Sequence, residues 1–491
     1  MSAERVIVVG GGVGGLCVAI RLASRGRSVT LLERLPIVGG KLAVYERDGF
    51  TFDIGPSLLT LPHIFDDVMR CAGTSLDAEL DVRRLSTQFR YFWQNHTTAT
   101  FYDNPIDTAS SLDGMRPGSG EEYLRFLKHS RSIWEVSERT FLAGPMSGPI
   151  SLMRRMKRVG DLRAIDARRT LATAARRHFS DPNLQQWLGR YATYSGSSPY
   201  QSPATLSCIA SIEADYGAWY PMGGLGALRD ALERVARRVG VEIRTSCEVT
   251  RLVTRRGRVV GVELAGGETM DADLVVANVD AEHLYRDLLD EPKRLRKVRS
   301  AGRSSSGVVV LVGVRGATPN VVHHNVWFSA DYEREFAEID GGTLPTDPTI
   351  YACVSSITDP SQAPAGHENW FILVNAPEGA ALDESGVDYG RFVLDRLAAV
   401  GPDLRSRSLF VETIGPLDLE RRYRAPGGAI YGTSSNGKNA AFRRPNNRGA
   451  VRGLYLVGGS SHPGGGLPMV ALSARIVDDV IGADSKDRTH R

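Results

Sequence analysis

Val6-Ile7-Val8-Val9 runs straight into Gly10-Gly11-Gly12-Val13-Gly14-Gly15, and this junction decides the fold. Four consecutive apolar β-formers predict a strand buried on both faces. The residues that follow place Leu16, Ala19, Ile20 and Ala23 on one helical face, with Gly26 as the stop signal. Val29 to Leu32 predict a second strand, closed by Glu33. Gly10, Gly12 and Gly15 fit the spacing of a dinucleotide-binding turn. The first allows the tight turn, the second lets backbone touch a pyrophosphate, and the third lets helix and strand pack closely. The helix N-terminus, where Gly14 lies, offers free amides and a partial positive charge to the phosphates. Glu33 stands where a carboxylate accepts hydrogen bonds from a ribose and repels a 2′-phosphate.

The whole chain bounds this reading. At 491 residues it suits two interleaved domains, and 42% hydrophobic with 24% charged residues is ordinary for a soluble protein. The five cysteines are scattered without a C-x-x-C pair, the usage of a reduced cytoplasmic protein with no disulfide framework and no zinc site. No apolar run is long enough to span a bilayer. The glycine pattern within Val6 to Ala23 argues against a signal peptide, so a cytoplasmic protein is expected. Net charge is only +4, yet nine Arg or Lys face two Asp between Ser151 and Ser180.

A second glycine turn follows the ribose-binding strand. Arg34 begins R-x-x-x-x-G-G-K, which ends at Gly39, Gly40 and Lys41. A plain nicotinamide site has no need of it, whereas a flavin nucleotide extended across the domain does. The next tight loop, Phe52-Asp53-Ile54-Gly55-Pro56-Ser57, can pass close to the same ligand or serve as an ordinary turn. Near the other end, Gly453 to Val457 predict a turn into a strand. Gly458-Gly459-Ser460-Ser461-His462-Pro463-Gly464-Gly465-Gly466-Leu467-Pro468 follows, then a helix from about Pro468 to Val480 that opens with Met469 and Val470. Three consecutive glycines clear space for a flat ring, and the helix N-terminus would favour negative charge on a reduced flavin. The two ends together predict FAD. In between, a helix from the Tyr220–Gly226 turn to about Arg238 precedes predicted strands at Val241–Arg244, Glu248–Val253, Arg258–Leu264 and Ala272–Ala277.

With these motifs in hand, the chain resembles the bacterial carotenoid desaturase family, which includes the phytoene desaturases. The resemblance runs from residue 5 to about 480. It rests on Gly10 to Gly15, Gly39-Gly40-Lys41, Asp53 to Ser57, Tyr216 to Gly224, His323-His324-Asn325 and His462 to Pro468. Arg190 to Pro199 and His323 to Ser329 look most like the hydroxycarotenoid 3,4-desaturase branch; related branches contain carotenoid oxygenases and retinol saturases. The resemblance implies an α/β fold. Its Rossmann-type FAD domain would comprise residues 1–75, 220–280 and 450–491. A β-sheet substrate domain would comprise 76–110 and 281–449, and a helical, membrane-facing portion 111–219. It places FAD contacts at Gly12, Gly14, Glu33, Lys41, Gly55, Val249, Gly459 and Met469, to which the motifs themselves add Gly10, Gly15, Arg34, Gly40, Pro56, Ser57, Gly458, Gly466, Leu467 and Val470.

The implied chemistry is desaturation of a carotenoid or similar isoprenoid polyene, with hydride passing to flavin and oxygen or a membrane quinone as final acceptor. Same-fold alternatives are oxidation, oxygenation, isomerisation or saturation of another apolar compound, or non-catalytic carriage of a prenyl group. Dehydrogenation needs a dry channel that holds the reacting carbons close to the flavin, and few charged groups. No catalytic triad or carboxylate pair is evident. Trp219, Tyr220 and Met222 are candidates for the channel mouth, with core packing as the alternative. His323 and His324 are candidate bases; as strand neighbours they point to opposite faces, so at most one can face the flavin. No third ligand lies at useful spacing, so no metal is expected. Leu152, Met156, Val159, Leu162 and Ile165 recur at helical intervals among Arg154, Arg155, Lys157, Arg158 and Arg163. That pattern predicts a basic amphipathic segment at the inner membrane surface, delivering an apolar substrate, rather than a nucleic-acid contact.

Overall fold

The computed structural model describes residues 3–489, apart from 147, 149–152, 157–159 and 383–386. The chain is a mixed α/β protein built around two sheets. The first is five-stranded and wholly parallel, in the order Leu454–Leu456, Leu274–Ala277, Arg5–Val9, Ser28–Leu32, Glu242–Arg244. Its centre is the strand read first, and Val6 to Val9 are all buried.

Alternation along these strands separates two cores. Val6, Val8, Leu31 and Val276 point into one with the helices Val13–Ser24, Leu225–Arg238 and Leu467–Thr489. Ile7, Val9, Leu32, Val275 and Ala277 point the other way, onto a three-stranded antiparallel sheet spanning Val249–Arg255, Arg258–Leu264 and Thr269–Asp271. The predicted Ala272–Ala277 strand therefore belongs to the parallel sheet, beginning at Leu274, and a short separate strand precedes it. The final helix outruns its predicted end at Val480 by nine residues.

The second sheet has seven strands, in the order Ser408–Ile414, Ser306–Arg315, His367–Ala376, Ile350–Cys353, His324–Trp327, Thr87–Phe92, Thr98–Tyr102. Every pairing is antiparallel except that of His324–Trp327 with Thr87–Phe92. Val308, Val310, Val312, Trp370, Ile372 and Val374 face a helix that presents Val393, Leu394 and Leu397. On the opposite side, Val309, Leu311 and Phe371 meet Phe50, Phe52 and Ile54 from the amino-terminal region. Beyond the sheet's Phe89 and Tyr91 lie helices Ser119–Thr140, Leu171–His178, Pro182–Gly189 and Cys208–Tyr216, which close the aromatic end of the molecule.

Among its described residues the basic segment has short helical pieces at Met153 to Arg155 and Asp161 to Ala164; Leu152, Lys157, Arg158 and Val159 lie outside the described residues. Arg155 is turned inward, donating to the carbonyls of Thr140, Gly144 and Pro145. Met153 and Arg154 are exposed, and Met156 is half-buried. Among the described residues no helix is long and apolar enough to cross a membrane.

A candidate flavin site and its aromatic chamber

The parallel sheet ends where its glycine turns begin. The helix at Val13 starts from Gly12 with no side-chain cap, so its first amides stay available to an anion. Gly10 has φ +96, and a Cβ on Gly15 would lie 2.1 Å from the Gly10 carbonyl oxygen. Only hydrogen fits there, which is why helix and strand can approach so closely. The Gly39 amide donates to the Gly11 carbonyl at 2.7 Å, laying the second glycine turn against the first. Glu33 is buried and accepts from the amides of Gly11 at 2.7 Å and Leu35 at 2.8 Å. Those bonds fix the carboxylate and leave it acceptor capacity for a ribose.

The carboxy-terminal turn completes this arrangement through a residue that the motif reading missed. Asn278 follows the Leu274–Ala277 strand and donates from Nδ2 to the Gly10 carbonyl at 3.1 Å. A Cβ on Gly14 would lie 2.7 Å from Asn278 Oδ1 and 3.1 Å from Gly458 Cα; one on Gly458, with φ +103, would lie 2.5 Å from the same oxygen. Arg444, also missed, is buried and binds the carbonyls of Tyr431, Thr433 and Gly459. Ser460 donates to Asp280 at 2.9 Å and accepts from the Ala281 amide, tying the turn to the next helix. A polar residue straight after a buried parallel strand, the position Glu33 also holds, was the available signal for Asn278.

These elements enclose a cavity of about 490 Å³. Gly10, Gly12, Gly14, Glu33, Arg34, Gly40, Lys41, Gly55, Pro56, Ser57, Val249, Gly459, Gly466, Leu467 and Val470 all line it. Three expected contacts do not: Gly15 and Gly458 pack behind the turns, and Met469 leans on the helical core. Asp53 sits beneath the wall and accepts from the amides of Leu225 and Gly226, so it caps a helix. Burial pushes its pKa up to about 6 despite those two bonds. Lys41 donates to the Ile430 carbonyl beside the Gly12 turn, and enclosure by protein lowers its pKa to about 8. Uncapped amides, a clear glycine cradle, a ribose carboxylate and a cation fit a flavin dinucleotide.

The cavity continues into a chamber walled by Leu58, Phe89, Tyr194, Val326, Tyr351 and Phe371. Trp219, Tyr220, Met222, His323 and His324 do not reach it. Trp219 donates to the Tyr216 carbonyl, Tyr220 is buried against His323, and Met222 packs on the helical core, which is the plainer of their two readings. Both histidines are buried, and burial pulls both pKa values down, that of His323 to about 3. His324 reaches the chamber indirectly: its Nδ1 lies 2.8 Å from the Tyr351 hydroxyl, which is 2.6 Å from Ser57 Oγ. The fold also supplies the third ligand atom that sequence spacing did not. Cys353 stands opposite His324 in the ladder, and its sulfur and one nitrogen of each histidine lie within 4.8 Å of one another.

The family model described as flavin-containing amine oxidoreductase matches residues 13–479. The chain belongs to that family, and FAD is its cofactor. It is 37% identical to a 4,4'-diapolycopene oxygenase of Methylomonas sp, over 98% of both chains. It is 36% identical to a 4,4'-diaponeurosporene oxygenase of Staphylococcus aureus strain Mu50, over 99% of both. Among solved structures, an oxidoreductase from Methanosarcina mazei shares the fold at a TM-score of 0.65 and 18% identity, covering 97% of this chain and all of the other.

Two outcomes are expected of this geometry. Asn278→Ala removes the bond to Gly10 and the wedge between the turns, costing about 1–3 kcal/mol of stability and weakening FAD retention; a thermal melt and a flavin titration measure both. FAD affinity falls as pH rises through about 8, where Lys41 loses its charge. Lys41→Met flattens that profile in a fluorescence titration of the apoprotein.

Proposed function

We propose that this FAD-dependent oxidoreductase oxidises a long carotenoid-type polyene, taking hydride from a carbon at or beside the end of the conjugated chain and introducing oxygen there. The observation that carries the reading is an aromatic and aliphatic chamber opening directly off both glycine turns. FAD, when bound, supplies the hydride acceptor. Phe89, Val326, Phe371 and Leu58 exclude water from the reacting carbons and hold the chain by dispersion contacts. Tyr351 keeps its proton, since burial holds its pKa well above the usual phenol value, and Ser57 and His324 fix the direction of its hydroxyl at the wall.

Desaturation, which the motifs favoured, begins with the same loss of hydride and ends with loss of a proton. Oxygenation ends instead with water adding to the carbon that lost hydride: the water oxygen forms the new C–O bond and one of its protons leaves. The names of the two full-length relatives support the second ending. The matching experiment incubates the protein aerobically with a carotenoid hydrocarbon and resolves products by mass. Products that have gained oxygen are expected. Products that have only lost hydrogen restore the desaturase reading, and turnover of no polyene ends both.

Such a substrate resides in lipid, and we propose that the exposed Arg154 and the basic sequence around it meet the membrane surface. Because Arg155 is committed to three carbonyls, the useful variant changes Arg154, Lys157 and Arg158 to Glu. The wild type is expected to float with anionic liposomes and this variant to stay behind; equal recovery removes the membrane role.

A further inference from the structure

Arg190 stands where a hydrocarbon channel has no use for a cation. It lines the chamber, is 8% exposed, and is ringed by Phe89, Tyr194, Tyr91 and Tyr351 at 4.7, 5.2, 5.7 and 5.9 Å. Its side chain donates from Nη1 to the Tyr91 hydroxyl at 3.2 Å. Among the described residues no carboxylate oxygen comes within 4.0 Å of the guanidinium. Glu213, the buried carboxylate of this region, instead accepts from the hydroxyls of Tyr191 and Tyr194. Burial works to lower the guanidinium pKa, yet it stays above its ordinary value, which already lies far above neutrality, so the charge persists.

A guanidinium has five donors in a rigid fork, and a buried charge is costly unless it is paired. None of the Arg190 nitrogens is a sealed, partnerless atom. The donors not used by Tyr91 therefore keep some open surface, and Arg190 is part of the cavity's lining. The aromatic faces around them stabilise the cation without occupying its N–H groups. The chamber thus presents a fixed donor fork amid surfaces suited to a polyene. An acceptor at the end of the chain is the partner such a fork takes.

We propose that Arg190 is a specificity-determining residue that receives the oxygen of a polyene's end group, a hydroxyl or carbonyl, so that the enzyme prefers an already oxygenated chain over the bare hydrocarbon. This rests on the polyene reading above and names the form of substrate that the same chamber selects. A product of one oxidation at the chain end is then a better ligand than its precursor. A second oxidation of the same end, or a preceding enzyme that installs the first oxygen, follows as the class of reaction to which this site is matched.

The test is titration of the detergent-solubilised holoenzyme, followed by perturbation of flavin absorbance, with a matched pair of ligands: a polyene hydrocarbon and the same chain bearing one terminal hydroxyl. The wild type is expected to bind the hydroxylated chain about tenfold tighter or more, the value of a hydrogen bond to a charged group. Arg190→Met should remove that preference. Arg190→Lys, which keeps the charge but not the fork, should retain part of it. If Arg190→Met does not hold FAD, the Lys variant decides, with an undiminished preference counting against the role. Equal wild-type affinities for the pair overturn it, as does a variant that weakens both ligands and keeps their ratio. Binding of both chains without discrimination overturns this role alone. Binding of neither overturns the polyene reading and the role together.

Discussion

Asn278 sits where the two ends of the chain meet, and the cofactor site depends on that meeting. Its amide nitrogen holds the Gly10 carbonyl, while its oxygen fills the space between Gly14 and Gly458. Neither glycine can carry a side chain without striking it. The arrangement joins residues more than 440 positions apart, so the two glycine turns exist as one candidate site only in the folded protein. Local propensity can build each turn; the parallel sheet has to bring them together. The Leu274–Ala277 strand does this by pairing with Arg5–Val9 on one side and Leu454–Leu456 on the other.

The large sheet does the complementary work. Alternation sends Val308, Val310 and Val312 to a helix-covered core and Val309 and Leu311 toward the amino-terminal region. Val309, Phe371 and Leu373 thereby become chamber wall, continuous with the glycine turns. The chamber is apolar because it is the back of a sheet rather than a loop-built cleft, and a loop-built wall would carry backbone polar groups needing partners. The same geometry makes a buried cation conspicuous, since among the described residues the groups around Arg190 are aromatic or, like Glu213, already engaged.

Much of the candidate cofactor site was legible in the sequence because glycine spacing, the flanking strands and Glu33 are local features. The strand at Val6 to Val9 and the helix after it appear as read, and Gly459, Gly466 and Val470 face the cavity. What was not legible depends on which face of an element becomes buried. Trp219 and Tyr220 pack into the helical core, while His323 and His324 are buried outside the cavity lining, His324 one hydrogen bond from it through Tyr351. Arg155 reads as part of a basic face, yet its guanidinium is consumed by three carbonyls. Cys353 was invisible as a neighbour of His324 because only the strand register sets them opposite. Arg190 was read merely as part of a motif, since nothing in a linear sequence shows a ring of aromatics closing around it.

The central claim is that a carbon–hydrogen bond at the end of a polyene breaks in the chamber beside the flavin turns. The most direct measurement is anaerobic flavin reduction by a polyene carrying deuterium on its terminal and adjacent allylic carbons, compared with the unlabelled chain by stopped flow. Slower flavin bleaching with the deuterated chain is expected, with both traces reaching full reduction. Identical rates, or flavin that stays oxidised with either chain, would contradict the account.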